Sequence, residues 1–425
     1  MVTVSRRPLL LGLLAAGLAS ALPAAARSPE ASAAKLDAVL RQLVDGRTTP
    51  GVAVLVLRDG KPDYERAVGV RDPRGGPPLR ADDLFRLASM TKPVTSVAAM
   101  ILVEEGRISL DDPLSEHLPA FAGLRVRRAD GTLEPARRPP TIRDLLTHTA
   151  GFSYNFMNRP GVVDAYREAG VVDGIANPEV TVGEAMWRLA NAPLAFQPGT
   201  EWHYSLATDV LGAVIEKVSG QPLDAFIRER IARPLGLESW TFRVPPMLRE
   251  RVVTVTAPAG QGGGFRLVGS PDPVPYPATQ GVALLDPERA FSATAYPSGG
   301  AGMVGTVGDY ARFLQMLLNG GELDGVRILR PETVRQMTTN QTGELPIALR
   351  GPGWGFGLGF AVVLDPVAGK TAMPAGSYNW GGIYGTGFWV DPQSRVVGVV
   401  ASQTSIIGSG PAITGAVREA YYAAE

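Results

Sequence analysis

Apolar positions along the chain follow two rhythms, one helical and one extended. Between Ala33 and Asp45, the residues Leu36, Val39, Leu40, Leu43 and Val44 recur at helical spacing and predict an amphipathic helix. Val52–Leu57 is a continuous apolar run rich in β-branched residues. Arg58-Asp59-Gly60-Lys61 supplies a turn and Tyr64–Val70 a returning strand, so the pair predicts a hairpin and an antiparallel start to the sheet. Asp72–Leu84 is turn-rich. Val94–Glu105 is helical again and stops at Gly106. Residues 107–290 alternate short helical stretches with loops rich in proline and glycine. Within them Thr256–Tyr276, carrying Gln261-Gly262-Gly263-Gly264 and several prolines, lacks periodicity and reads as a long surface loop. Asp309–Asn319 predicts an amphipathic helix closed by Gly320-Gly321. Strand signals return at Leu358–Leu364, Ile383–Val390 and Val396–Ser402, the last two joined by Asp391-Pro392-Gln393-Ser394, and Pro411–Tyr422 predicts a final helix.

Strands at both ends of the chain with a helical middle imply one sheet built from distant segments. The expected fold class is α/β (α+β), an antiparallel sheet flanked by helices. Residues 35–90 and 291–425 would form the sheet domain and residues 91–290 a mainly helical insert packed beside it. A boundary of that kind is where ligand sites concentrate.

Residues 1–26 stand apart from this pattern. They contain no acid. Arg6 and Arg7 precede an apolar run from Leu9 to Leu22, and Ala24-Ala25-Ala26 follows. That order reads as an export signal cut after Ala26, and Ser5-Arg6-Arg7-Pro8-Leu9-Leu10 suggests the twin-arginine type. Cleavage would place the protein in the periplasm or outside the cell, with no membrane attachment.

Composition narrows the chemistry. Of the 425 residues, 41 are basic and 41 acidic, so no global positive field argues for a nucleic-acid partner. With no cysteine, thiol catalysis, thiolate metal sites and disulfides are excluded. The three histidines, His117, His148 and His203, leave little scope for a histidine metal cage. Hydroxyls, amines and carboxylates remain.

Ser89-Met90-Thr91-Lys92 places a serine and a lysine three residues apart, on one face of the helix entered there. Unpaired N–H groups and the positive dipole end at a helix N-terminus stabilise an anion formed on the serine's reaction partner. Desolvation or nearby cations lower a lysine pKa enough for it to accept a proton. The chain has five lysines, Lys35, Lys61, Lys92, Lys217 and Lys370, which makes one so placed informative. Taken alone, the motif serves equally as an N-cap with a surface charge, and Ser32-Ala33-Ala34-Lys35 repeats it by chance. No G-x-S-x-G elbow, G-x-x-x-x-G-K phosphate loop, H-E-x-x-H or EF-hand pattern occurs.

The surrounding text goes further. Phe85-Arg86-Leu87-Ala88-Ser89-Met90-Thr91-Lys92 resembles the active-serine segment of the serine β-lactamase and penicillin-binding protein superfamily. Ile108-Ser109-Leu110-Asp111-Asp112-Pro113, Leu145-Leu146-Thr147-His148-Thr149-Ala150-Gly151-Phe152 and Gly299-Gly300-Ala301-Gly302 are similar to segments of its class C-like branch, where the place of His148 is structural. The superfamily's second element, Y-x-N or S-x-N, is matched by Tyr204-Ser205-Leu206, which keeps the tyrosine and lacks the asparagine. Its third, K-T-G, is matched by Trp380-Gly381-Gly382, which lacks the lysine. Tyr-Ser-Leu with Trp-Gly-Gly resembles the family VIII carboxylesterases.

This resemblance implies an acyl-enzyme formed on Ser89 from a small-molecule ester. Lys92 and Tyr204 would handle the protons, the Tyr204 pKa being lowered by Lys92. The backbone N–H groups of Ser89 and Ile383 would form an oxyanion hole, and Trp380, Gly381 and Gly382 would bind substrate. No cofactor or metal is required. Tyr154, Phe156, Tyr296 and Tyr378 are candidate pocket walls, and the loops Asn155–Asp173 and Thr256–Gly281 are candidates for setting specificity. Two alternatives stand beside this reading: a β-lactamase or D-amino-acid peptidase of the same fold, and a binding protein without catalysis.

Overall fold

A computed structural model describes residue 1 and residues 29–176, 179–260 and 263–423. The export-signal segment 1–26 therefore lies outside the described residues, except for Met1. Helix α1 (Pro29–Asp45) leads into strands β1 (Gly51–Arg58) and β2 (Lys61–Gly69), a hairpin in which Ala53 faces Ala67. Helix α2 (Thr91–Glu104) follows, and α3 (Ala207–Ser219) and α4 (Val307–Leu318) come later in the chain. Strands β3 (Trp354–Phe356), β4 (Ala361–Val363), β5 (Tyr378–Gly382), β6 (Thr386–Asp391) and β7 (Val396–Ala401) precede the last helix, α5 (Ala416–Tyr422).

The seven strands form one antiparallel sheet in the order β3-β4-β5-β6-β7-β1-β2. Its closure joins the two ends of the chain: Ala53 pairs with Ala401 and Arg58 with Val396. The continuous apolar run of β1 is explained by burial on both faces, since α4 packs on one side of it and α1 packs against α5 and the β1–β2 hairpin. Helix α2 is buried all round: every residue from Thr91 to Leu102 is buried, the polar Thr91, Lys92, Thr95 and Ser96 among them.

Three expectations need correction. The stretch Ile383–Val390 is not one strand. It holds the end of a tight connection, with Gly385 N–H donating to the Gly382 carbonyl at 2.8 Å, followed by β6. Strand β3 precedes the predicted Leu358–Leu364 strand, of which only Ala361–Val363 is extended. Thr256–Tyr276 is not a structureless loop. Thr256–Pro258 pairs with Phe265–Leu267, and Asp272–Tyr276 pairs with Gly281–Leu285. In the second pair Pro273 and Pro275 sit on the exposed face and Val274 points inward, so the prolines conceal a strand of correct alternation.

Candidate active site

Ser89 sits in a single 3₁₀ turn, Ala88–Met90, at the mouth of α2. Among Phe85–Lys92 it alone is not buried. The turn is fixed from several sides: Leu87 N–H donates to the Met303 carbonyl at 2.9 Å. Thr386 Oγ1 donates to the Leu87 carbonyl at 3.0 Å, and Tyr310 Oη donates to the Met90 carbonyl at 2.8 Å. Ala88 adopts φ of 46°, a left-handed conformation that costs a non-glycine residue about 1–2 kcal/mol and aims the next side chain outward.

Lys92 is 2 % exposed. Its ammonium donates to Ser89 Oγ at 3.3 Å, Tyr154 Oη at 2.9 Å and the Gly300 carbonyl at 2.8 Å. Nζ also lies 4.6 Å from the centre of the Tyr204 ring. Among the described residues no carboxylate bonds it. Asp209, buried on α3, influences it only through space and takes its own hydrogen bond from Ser298 Oγ at 2.5 Å. Desolvation therefore dominates and lowers the Lys92 pKa to about 7, against the upward pull of Asp209. Gly300 has to be glycine for this packing: a Cβ there would fall 2.3 Å from Asp209 Oδ2.

Tyr204 corrects an expectation. Its pKa is not lowered by Lys92. Burial pushes it well above the ordinary phenol value, and hydrogen bonding to Ser89 and Trp380 opposes this only in part. The phenol is thus a proton donor in the resting protein, and the lysine is the group that loses its proton near pH 7. Trp380 Nε1 donates to Tyr204 Oη at 3.4 Å.

The third element, at the end of β5, abuts the serine turn. A Cβ on Gly382 would lie 2.2 Å from the Leu87 carbonyl oxygen, so only glycine lets the strand approach. Among the described residues, no backbone acceptor takes the N–H of Ser89 or of Ile383. Ile383 is held from its other side, its carbonyl accepting from Ile406 N–H at 2.8 Å.

Ser89 and its neighbours open onto a cavity of about 400 Å³ lined by Ser89, Tyr204, Trp380, Gly381 and Ile383 together with Tyr154 and Phe156, whereas Gly382, also expected to bind substrate, does not line it and instead packs against the serine turn. Tyr296 and Tyr378 do not line it. Tyr378 packs against Phe360 at 5.1 Å, and the Tyr296 ring lies under Arg289. Tyr276 and Ala278, which lie in the Thr256–Gly281 segment expected to set specificity, arrive on the proline-masked hairpin, and sequence reasoning missed Arg350, which stands in an irregular Gly/Pro stretch. It also missed Asp209 and gave Tyr154 no role beyond a wall. His148 is a packing residue: burial drives its pKa far down, its ring meets Tyr204 at 5.0 Å, and Nδ1 lies 3.3 Å from Ser205 Oγ. A larger cleft of about 620 Å³, lined by residues including Arg71, Arg249 and Phe291, lies elsewhere and contains none of these groups.

Acyl transfer by a serine needs a hydroxyl, a base that is neutral near pH 7, and donors aimed at a forming oxyanion. Ser89 lines the cavity and the buried Lys92 amine bonds its Oγ from behind, and the protein is a serine hydrolase of the β-lactamase fold. The chain belongs to the β-lactamase family, whose model, described as Beta-lactamase, matches residues 36–421. It is 40% identical over 393 residues to Esterase EstB of Burkholderia gladioli, covering 92% of this chain and 95% of the relative. Monacolin J acid methylbutanoyltransferase of Aspergillus terreus is 29% identical over 398 residues, covering 84% and 87%. Among solved structures, EstCE1, described as a hydrolase with promiscuous acyltransferase activity, superposes with a TM-score of 0.84 at 34% identity, covering 93% of this chain and 99% of its own.

Proposed function

We propose that the protein is an exported carboxylesterase working through an acyl-enzyme on Ser89. The observation that carries this reading is the buried Lys92 amine, bonded to Ser89 Oγ with no carboxylate partner among the described residues, a burial that brings its pKa down to about 7. The Gly300 carbonyl can only accept and so retains one N–H of the neutral amine. Ser89 and Tyr154 hydroxyls can donate or accept, which lets the lone pair turn to Ser89.

The steps then balance. Ser89 Oγ attacks the ester carbonyl and its proton passes to Lys92. The N–H groups of Ser89 and Ile383 hold the tetrahedral oxyanion, each such donor contributing about 3–4 kcal/mol to the transition state. On collapse the leaving alkoxide takes the Tyr204 phenol proton. The phenolate is stabilised by the Lys92 ammonium beside its ring. In deacylation Tyr204 removes a proton from water, which attacks the acyl carbonyl, and the departing Ser89 Oγ recovers the proton from Lys92. An alcohol in place of water would give acyl transfer.

Ester rather than β-lactam turnover is supported by Leu206 and Trp380, which stand where the penicillin-recognising members carry asparagine and lysine, and by the esterase names of EstB and EstCE1. Export rests on residues 1–26, with Arg27 the expected first residue of the mature chain. The test compares wild type and Ser89→Ala on p-nitrophenyl butyrate and on a chromogenic cephalosporin. Ester turnover lost in the variant, with a serine-bound acyl group trapped by mass spectrometry in wild type, is the expected result. Dominant cephalosporin turnover, or ester turnover surviving Ser89→Ala, refutes it.

A further inference from the structure

The cavity around Ser89 carries a charge that ester hydrolysis does not use. Its lining includes Arg350, Lys370 and Arg418 and contains no aspartate or glutamate. In a chain with 41 basic and 41 acidic residues, that lining is a local positive field facing the substrate. The three cations are not equivalent. Arg418 lies 3.2 Å from the Glu419 carboxylate, which offsets its charge, and Lys370 is exposed. Arg350 has no ion-pair partner and no acceptor for its guanidinium among the described residues. Its Cζ sits 5.3 Å from the Trp354 ring and 5.0 Å from the Trp380 ring, so two indoles hold it in place. Desolvation, with repulsion from Arg418, brings its pKa down to about 10, which still leaves it charged at neutral pH.

A planar guanidinium packed near two indoles and lining a cavity, its N–H groups unspent on the described residues, is suited to one chemical class, a carboxylate or similar planar oxyanion. Trp380 links this group to the reaction centre, its Nε1 bonding Tyr204 Oη at 3.4 Å while its ring faces Arg350. Building on the esterase reading, we propose that the substrate carries a second, anionic carboxylate that Arg350 receives while Ser89 attacks the ester. A half-ester of a dicarboxylic acid presents that charge on the acyl side, and an ester of a hydroxy acid presents it on the alcohol side. The same field disfavours cationic esters.

The test uses the mature protein and three chromogenic esters: p-nitrophenyl butyrate, p-nitrophenyl hydrogen glutarate, and the butyrate ester of 5-hydroxy-2-nitrobenzoic acid. Each kcat/KM is divided by the hydroxide-catalysed rate of its ester. At least one anionic ester is expected to exceed the neutral one by about tenfold or more. The ester that does so tells which side carries the charge. The ratio should fall about tenfold in Arg350→Gln, be partly kept in Arg350→Lys, and shrink with added salt in wild type. A control, Lys61→Gln on the exposed end of β2, should keep the ratio. Because a ratio cancels general damage, a poorly folded variant does not mimic the effect, and the salt dependence of wild type is independent of any variant. Both anionic esters at or below the neutral one, or a ratio unmoved in Arg350→Gln, overturn the proposal while Ser89-dependent hydrolysis of the butyrate leaves the esterase reading standing. No turnover of any of the three overturns both.

Discussion

Replacing Lys92 by methionine separates what the lysine does for the reaction from what it costs the fold. In the unfolded chain Lys92 titrates near 10.5, and in the folded protein desolvation brings it to about 7. Between these values the unfolded state holds one more proton, so stability rises with pH by about 1.4 kcal/mol per unit. The penalty is complete below about pH 7, where it reaches about 4–5 kcal/mol, and vanishes by about pH 10.5. Methionine removes it at every pH. Methionine also takes the donor from the Gly300 carbonyl, which costs about 1–3 kcal/mol independently of pH.

The difference between the two proteins is therefore a slope with a fixed offset. Lys92→Met is expected to be the more stable form near pH 7, by roughly 1–3 kcal/mol, with the curves crossing near about pH 9. Urea denaturation of both proteins from pH 6.5 to 9.5 measures this, and groups that titrate alike in both cancel. The variant should lack esterase activity. Wild-type kcat/KM should climb about tenfold per pH unit below pH 7 and level off above it, because only the neutral amine takes the serine proton. A stability difference that does not change with pH would mean that Lys92 carries the same charge folded and unfolded, and the neutral-base mechanism would fall with it.

Two further predictions address the surroundings. Asp209→Asn removes the carboxylate whose field raises the Lys92 pKa, so the acid limb of the pH–rate profile should move to lower pH; an unmoved limb refutes the coupling. Gly398→Ala places a Cβ 2.2 Å from the ring of Trp389, its cross-strand partner, and should lower stability by about 1–3 kcal/mol with kcat/KM retained, measured by urea midpoint and ester assay.

The legible parts of this protein are those in which chemistry is written locally. The β1–β2 hairpin could be read because an apolar run, a Gly turn and a second β-rich run adjoin in sequence. Ser89 and Lys92 could be read because their spacing is the helix repeat. What failed to be legible depends on groups brought together by folding. The Asp272–Tyr276 strand was hidden because proline is a breaker except on an exposed edge, and exposure is a tertiary property. Arg350 was hidden because its meaning lies in Trp354 and Trp380 around it and in the absence of an acid along the cavity lining. Tyr204 was read with its pKa shifted in the wrong direction, since proximity to a cation is readable from a motif and the depth of burial is not.

The same reasoning explains why a fold would retain so unfavourable a lysine. The three acceptors of Lys92 come from the turn before α2, from residue 154 and from residue 300, so its low-pKa environment exists only when distant parts of the chain have closed over it. Nothing in that environment repays desolvation with an ion pair. Asp209 is close enough to act through space but spends its hydrogen bond on Ser298. Moving that carboxylate into contact with Nζ would stabilise the protein and raise the lysine pKa, so the amine would be protonated at neutral pH and unable to take a proton from Ser89. The residual cost of burial is thus the physical condition for the base, and stability and activity should trade against each other at position 92 in a way that no substitution elsewhere in the α2 core reproduces.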